Sequence, residues 1–310
     1  MNCLILGGAG FIGSHIADSL IVRGHKVRVF DRLNVDTSNL TDALPHIEFL
    51  KGDILNESDM SCALEGVDLV VHLVSTTIPK TSNDNPVYDV ESNVVGTLKL
   101  LDLSRQFGVK NIVFLSSGGT VYGPSATCPI TETDATDPVC SYGITKLAIE
   151  KYLYLFHYLH DLDYVVLRVA NPFGERQNPG SGQGVVTTFL WKFLQEEPIP
   201  VWGDGTVARD YFYISDLVSA MLAAIDRDTP SKIYNIGSGV PRSLNELLSI
   251  MQTVTGRTPV IQYLPARKLD VPINFLDISR ARKELHWQPK ISLEEGIART
   301  WSSLQQRKAS

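Results

Sequence analysis

Tyr142 and Lys146, in "YGITK", stand four residues apart, and on a helix that spacing puts both side chains on one face. A free tyrosine ionises near pH ~10. A nearby ammonium favours the phenolate, which can take a proton from an alcohol as general base while hydride leaves the same carbon. Pairs four apart are ordinary helix neighbours, so this one gains meaning only from what lies upstream of it.

Upstream is "GGAGFIG". Gly8, Gly10 and Gly13 satisfy G-x-G-x-x-G, and Gly7, Gly10 and Gly13 also satisfy G-x-x-G-x-x-G. The string closes an apolar run and opens an amphipathic one, the context that such a motif requires. Glycine lets the backbone turn sharply and approach a pyrophosphate, and the helix N-terminus behind it offers free N–H groups to the anion. Asp31 ends the next apolar run, where a carboxylate accepts from the ribose hydroxyls and repels a 2′-phosphate, so NAD is expected rather than NADP. Arg32, beside it, is a residue type that can accommodate that phosphate. Asp53, in "KGDIL", ends the third such run; it could bond the adenine amino group or cap the following helix.

These residues need a scaffold. "NCLILG" (2–7), "KVRVFD" (26–31), "IEFLKGD" (47–53), "LVVHLV" (69–74), "NIVFLSS" (111–117) and "YVVLRVA" (164–170) read as strands. Helical patterns run over 13–24, 57–65, 86–107 and 141–160. This alternation predicts an α/β fold, a doubly wound parallel Rossmann sheet. Beyond Asn171 the rhythm changes. A Gly-, Pro- and Asn-rich loop precedes a helix (185–195), the strand "IPVWG", a helix from Ser215, and "IYNIG" (233–237), expected to return to the main sheet. The last ~70 residues read as short helices with one strand. The expected division is an NAD-binding domain over 1–170, with 210–240 returning to it, and a smaller, discontinuous α+β substrate-binding lobe over 171–209 and 241–310.

The bulk numbers exclude other classes. A length of 310 residues suits two domains. The net charge of −6 disfavours nucleic acid as a partner. No apolar run nears the ~20 residues that span a bilayer, and the N-terminus lacks a secretion signal's basic region. Cys3, Cys62, Cys128 and Cys140 have no metal-ligand spacing, which fits incidental thiols in a reducing cytoplasm. No metal site is expected.

In order along the chain come GGAGFIG, Asp31, Asp53, SSGGTVYG, Tyr142-x-x-x-Lys146 and RDYFYISDL. With these the sequence resembles the extended short-chain dehydrogenase/reductases from Met1 to about Ser302, and most of all the nucleotide-sugar epimerases related to UDP-glucose 4-epimerase. The resemblance implies NAD contacts at Gly7, Gly10, Phe11, Ile12, Gly13, Asp31, Arg32, Asp53, Ile54, Leu73, Val74, Ser75, Asn93 and Ser116, besides Tyr142 and Lys146. It implies a nucleotide-sugar substrate, UDP most of all, near Thr77, Gly118, Thr120 and Asn171, with Trp202 by the uracil. Arg209 and Arg267 would grip the diphosphate, with Asp270 near the ribose. It also implies a homodimer through the helices at 86–107 and 141–160, where "YLYLFHYL" is apolar nearly all round.

The stretch "SSGGTVYG" separates the chemistries. Where the related dehydratases carry an Asp-Glu pair, and the decarboxylases a Glu, this chain has Gly119 and Thr120. What remains is reversible oxidation at C4, making a 4-epimerase; a 4-ketoreductase or dehydrogenase of the same superfamily is the alternative. Gly118 stands where relatives place a hydroxyl for the 4′-oxygen. Thr120, on the same face if the chain stays extended, or Ser117 would supply it. Asn274, at a place where a bulky residue excludes N-acetyl groups, implies a pocket open to N-acetylated hexoses.

Overall fold

The computed structural model describes residues 1–124, 127–227, 229–266 and 271–309. The chain divides into two units. The first comprises Met1–Gly123, Ala135–Arg168 and Met221–Tyr234; the second comprises Pro124–Asp134, Val169–Ala220 and Asn235–Ser310.

In the first unit, branched apolar runs form the strands β1 (Asn2–Leu6), β2 (Lys26–Asp31), β3 (Ile47–Lys51), β4 (Leu69–His72), β5 (Asn111–Ser117) and β6 (Asp163–Val169). Between them lie the helices α1 (Phe11–Val22), α2 (Glu57–Leu64), α3 (Pro86–Asp89), α4 (Gly96–Gln106) and α5 (Ser141–His160). The sheet order, completed by β10 (Ile233–Ile236), is β10-β6-β5-β4-β1-β2-β3. Every pairing from β3 to β5 is parallel. β4 is buried along its whole length, as a strand covered on both faces must be. Leu4, Leu6, Leu100, Phe114, Leu153 and Val166 anchor the core on one face. The chain runs outward from β1 to β3 and then returns to place β4 beside β1. That reversal opens a crevice at the carboxyl ends of the strands.

The helix expected over 86–107 is interrupted. Val90–Val95 form a π-helical turn between α3 and α4. Ser92 Oγ donates to the Tyr88 carbonyl and Asn93 Nδ2 to the Asp89 carbonyl. These are the carbonyls that α-helical N–H groups of the same residues would claim, so the side chains compete with the backbone ladder and open it.

The second unit holds β7 (Asn171–Phe173), β8 (Ile199–Trp202), β9 (Ala208–Tyr213), β11 (Pro241–Ser243), β12 (Ile261–Leu264) and β13 (Ile273–Asn274). Its helices are α6 (Val185–Gln195), α8 (Leu244–Thr255), α9 (Ser279–Glu284) and α10 (Leu293–Ala309), while α7 (Ile214–Asp226) starts in it and ends in the first unit. β9 is central, paired with β11, β13 and β7, and β8 pairs with β12. The single strand expected late in the chain is replaced by three, each of two to four residues, too short to show a period of two. α8 opens on a capping box between Ser243 and Glu246, which satisfies two orphan N–H groups at its start.

Candidate active site

A cavity of about 890 Å³ opens beside the glycine-rich turn. It is lined by Gly7, Gly10, Asp31, Arg32, Asp53, Ile54, Leu73, Val74 and Ser75, all singled out from sequence, and by Thr76, Tyr88 and Leu33–Val35, which were not. Gly7 sits at φ +80°, and a Cβ on Gly13 would fall 2.5 Å from the Gly7 carbonyl oxygen and from Gly8 Cα. The first conformation favours glycine, and the second leaves no room for a side chain. Phe11, Ile12 and Gly13 form the first turn of α1 behind it. Asp31 accepts from the N–H of Ala9 at 3.0 Å and of Arg32 at 2.9 Å, so its carboxylate is tied to the turn. Asp53 is not a helix cap: Asn56 caps α2 through Ser58 and Asp59, while Asp53 accepts from the Leu55 N–H. A turn that a Cβ would fill, with a carboxylate at the end of β2, fits a dinucleotide.

Asn93 lies behind the wall of this cavity rather than on it. Its Oδ1 accepts from the Thr76 N–H at 3.0 Å, and its Nδ2 donates to the Asp89 carboxylate at 2.8 Å. Thr77 also donates to Asp89.

Tyr142 and Lys146 lie one turn apart in α5. Lys146 is 5 % exposed, donates to the Leu115 carbonyl at 2.9 Å, and has its ammonium 4.7 Å from the Phe114 ring centre and 5.6 Å from that of Tyr142. Burial pushes the lysine down to about 8, against the pull of Asp89 and Glu150. Burial pushes the Tyr142 hydroxyl up to about 12, with Cys140 and Asp89 adding to the rise.

The extended chain expected beyond β5 is instead a turn. The N–H groups of Thr120 and Val121 both donate to the Ser117 carbonyl. Gly118 is buried within this turn and Gly119 is exposed. The Thr120 hydroxyl is buried and has no hydrogen-bond partner. Gly143 lets this segment press against α5, since a Cβ there would lie 2.8 Å from the Thr120 carbonyl oxygen. The Ser116 hydroxyl turns inward to Glu150, which Arg168 clamps with bonds of 3.1 and 2.6 Å. The guanidinium lies 4.8 Å from the centre of the Tyr122 ring.

In the second unit, Asn171 and Arg209 line a cavity of about 220 Å³ with Val185, Val207, Tyr211 and Leu244. Arg209 donates to the carbonyls of Ala208 and Val271. Asn274 is 4 % exposed, opposite Arg209 across β13 and β9, and its Oδ1 is buried without a partner. Trp202, on β8, is 36 % exposed and is not among the residues lining that cavity. Arg267 and Asp270 lie outside the described residues.

Sequence reasoning missed Asp89, Glu150 and Arg168. Glu150 follows Lys146 by four residues in α5 and so shares its face, a signal that was available; Asp89 and Arg168 reach the site only through tertiary packing. Among the described residues no cluster of His, Cys, Asp or Glu could hold a metal ion, and no helix is long and apolar enough to cross a membrane.

Comparisons with known proteins agree with this geometry. A putative UDP-glucose 4-epimerase of Methanocaldococcus jannaschii is 37 % identical over 96 % of each chain. The crystal structure of a UDP-glucose 4-epimerase with UDP-glucose from Thermotoga maritima superposes with a TM-score of 0.93 at 38 % identity, covering 99 % of this chain and 100 % of that one. The UDP-glucose 4-epimerase of Thermus thermophilus in complex with NAD gives 0.91 at 32 % identity, covering 98 % and 99 %. The profile of the NAD dependent epimerase/dehydratase family matches residues 3–237. With the glycine turn, the Asp31 carboxylate and the Tyr142–Lys146 helix inside that span, the chain belongs to the NAD dependent epimerase/dehydratase family.

Proposed function

We propose that the protein is a 4-epimerase of a nucleotide-activated hexose, UDP-linked, working through a transient 4-keto sugar. The observation that carries this reading is the Tyr142–Lys146 pair on α5 facing a turn, Gly118 to Thr120, that offers no second carboxylate. NAD held by the glycine turn and Asp31 would supply a reversible hydride acceptor for C4. Tyr142 takes the 4′-hydroxyl proton and gives it back, and Lys146 stabilises its phenolate. The Thr120 hydroxyl, buried and unpartnered, is suited to bond the 4′-oxygen, with Ser117 as the other candidate. Gly119 and Thr120 cannot supply the acid–base groups of dehydration or decarboxylation. Separately, Arg209 and Asn171 in their own cavity have the donors that a nucleotide's phosphates take.

The test is incubation with UDP- and dTDP-hexoses, with products separated. A 4-epimer formed at constant NAD is expected. Stoichiometric consumption of NAD(P)H would instead make the enzyme a ketoreductase. Asn274, standing where a bulky residue would exclude an N-acetyl group, is the ground for admitting N-acetylated sugars, and absence of turnover on UDP-GlcNAc would refute that part.

A homodimer through α5 and the helical segment 86–107 is part of this proposal. Tyr154, Leu155, Tyr158 and Leu159 are 40–74 % exposed on α5, an apolar face larger than scattered surface residues make. Sedimentation of Tyr158→Glu as a monomer, beside a dimeric wild type, is the expected result.

A further inference from the structure

Two buried carboxylates act on Lys146, and only one of them is paired with an arginine. Glu150 is clamped by the Arg168 guanidinium. Among the described residues, Asp89, 0 % exposed, takes its hydrogen bonds from neutral groups: the hydroxyls of Thr77, Ser141 and Thr145 and the amide of Asn93. Four donors and no acceptor is the set that an ionised carboxylate takes. Those donors come from the wall of the dinucleotide cavity, the π-helical turn, and the first turns of α5 on either side of Tyr142. We infer that Asp89 is the counter-charge of the Tyr142–Lys146 pair, a positioning residue that fixes the start of the catalytic helix and sets the pH range in which the pair works.

Among the described residues, the charged and titratable groups facing the pair are few. Cys140 precedes α5, Glu150 lies within it and is closed by Arg168 of β6, Asp89 ends α3, and His72 stands on β4. Burial holds His72 neutral, near a value of about 3. With Glu150 paired to Arg168, Asp89 is the carboxylate left to balance the Lys146 ammonium. It opposes ionisation of Tyr142 and favours the ammonium of Lys146. Its removal therefore lowers the pH at which each group loses its proton.

The inference rests on Tyr142 being the base in the proposed function, so the test has two readouts. Asp89→Asn and Asp89→Ser, which remove the charge with different packing, are compared with wild type for the pH profile of turnover. Ring-labelled tyrosine NMR follows Tyr142 in the NAD-bound protein, its signal assigned by its loss in Tyr142→Phe. Both variants are expected to move the acid limb and the Tyr142 titration toward acid by about one pH unit or more, with the alkaline limb following. Thr77→Val, which removes one donor and leaves the charge, is expected to lower kcat with the limbs in place. A fall in kcat with unmoved limbs in both Asp89 variants, or limbs moved as far by Thr77→Val, overturns the inference. A wild type that epimerises nothing would sink the proposed function while the NMR titration still decides the role of Asp89.

Discussion

The carbonyl oxygen of Thr120 lies 2.8 Å from where a Cβ on Gly143 would stand, and Pro138 Cβ lies 2.9 Å from the same point. The turn after β5 thus meets α5 one residue past Tyr142, and glycine is what lets it come so close. We expect Gly143→Ala to lose about 1–3 kcal/mol of stability despite alanine's better helix propensity, because backbone must move. Turnover should fall with it, as Thr120 is pushed off the helix. Urea unfolding and kcat measured together check this.

Thr120 carries a buried hydroxyl with no partner, an arrangement that costs stability until something bonds it. Thr120→Val should therefore leave stability unchanged or raise it slightly while lowering kcat about a hundredfold. Ser117→Ala should do much less. The reverse order in steady-state kinetics would return the 4′-oxygen contact to Ser117.

Lys146 is pushed down to about 8 and Tyr142 up to about 12 by burial. Below about pH 8 the lysine carries its proton; above it the ammonium that stabilises a phenolate is lost. Activity should decline as pH rises through that value. Lys146→Arg, always charged, should keep whatever activity it has without that decline. Without NAD, ultraviolet titration should detect no Tyr142 phenolate at neutral pH.

Arg168 and Glu150 are 3 % and 1 % exposed at their side chains. Arg168→Met strands a buried carboxylate beside Ser116 and should cost about 3–5 kcal/mol. Arg168→Met with Glu150→Leu should recover much of that loss, since an apolar pair of similar volume can replace a buried ion pair. Denaturant midpoints of the three proteins check it.

The parts legible in sequence were those written in local pattern. The glycine turn, Asp31 at the end of β2 and the bounds of α5 all follow from short-range spacing, and α5 runs over Ser141–His160 as expected. Asp53 could be read two ways until Asn56 was seen to cap α2. What stayed hidden depends on groups meeting from distant segments. Asp89 gathers donors from Thr77, Asn93, Ser141 and Thr145, and no periodicity marks such a residue. The turn at Thr120 was missed because two glycines after a strand are equally compatible with extension and reversal.

The π-helical turn at Val90–Val95 has one further consequence. Such a turn houses one residue more than regular helix does, and each helical residue advances the chain by about 100°. Deleting Val90 would let α3 and α4 fuse into an unbroken rod, improving local regularity. It would also swing Asp89 roughly a quarter-turn away from Ser141 and Thr145. The irregular segment works as a phase adjuster, so a deletion that tidies the helix should cripple the enzyme more than one that merely shortens its exposed end.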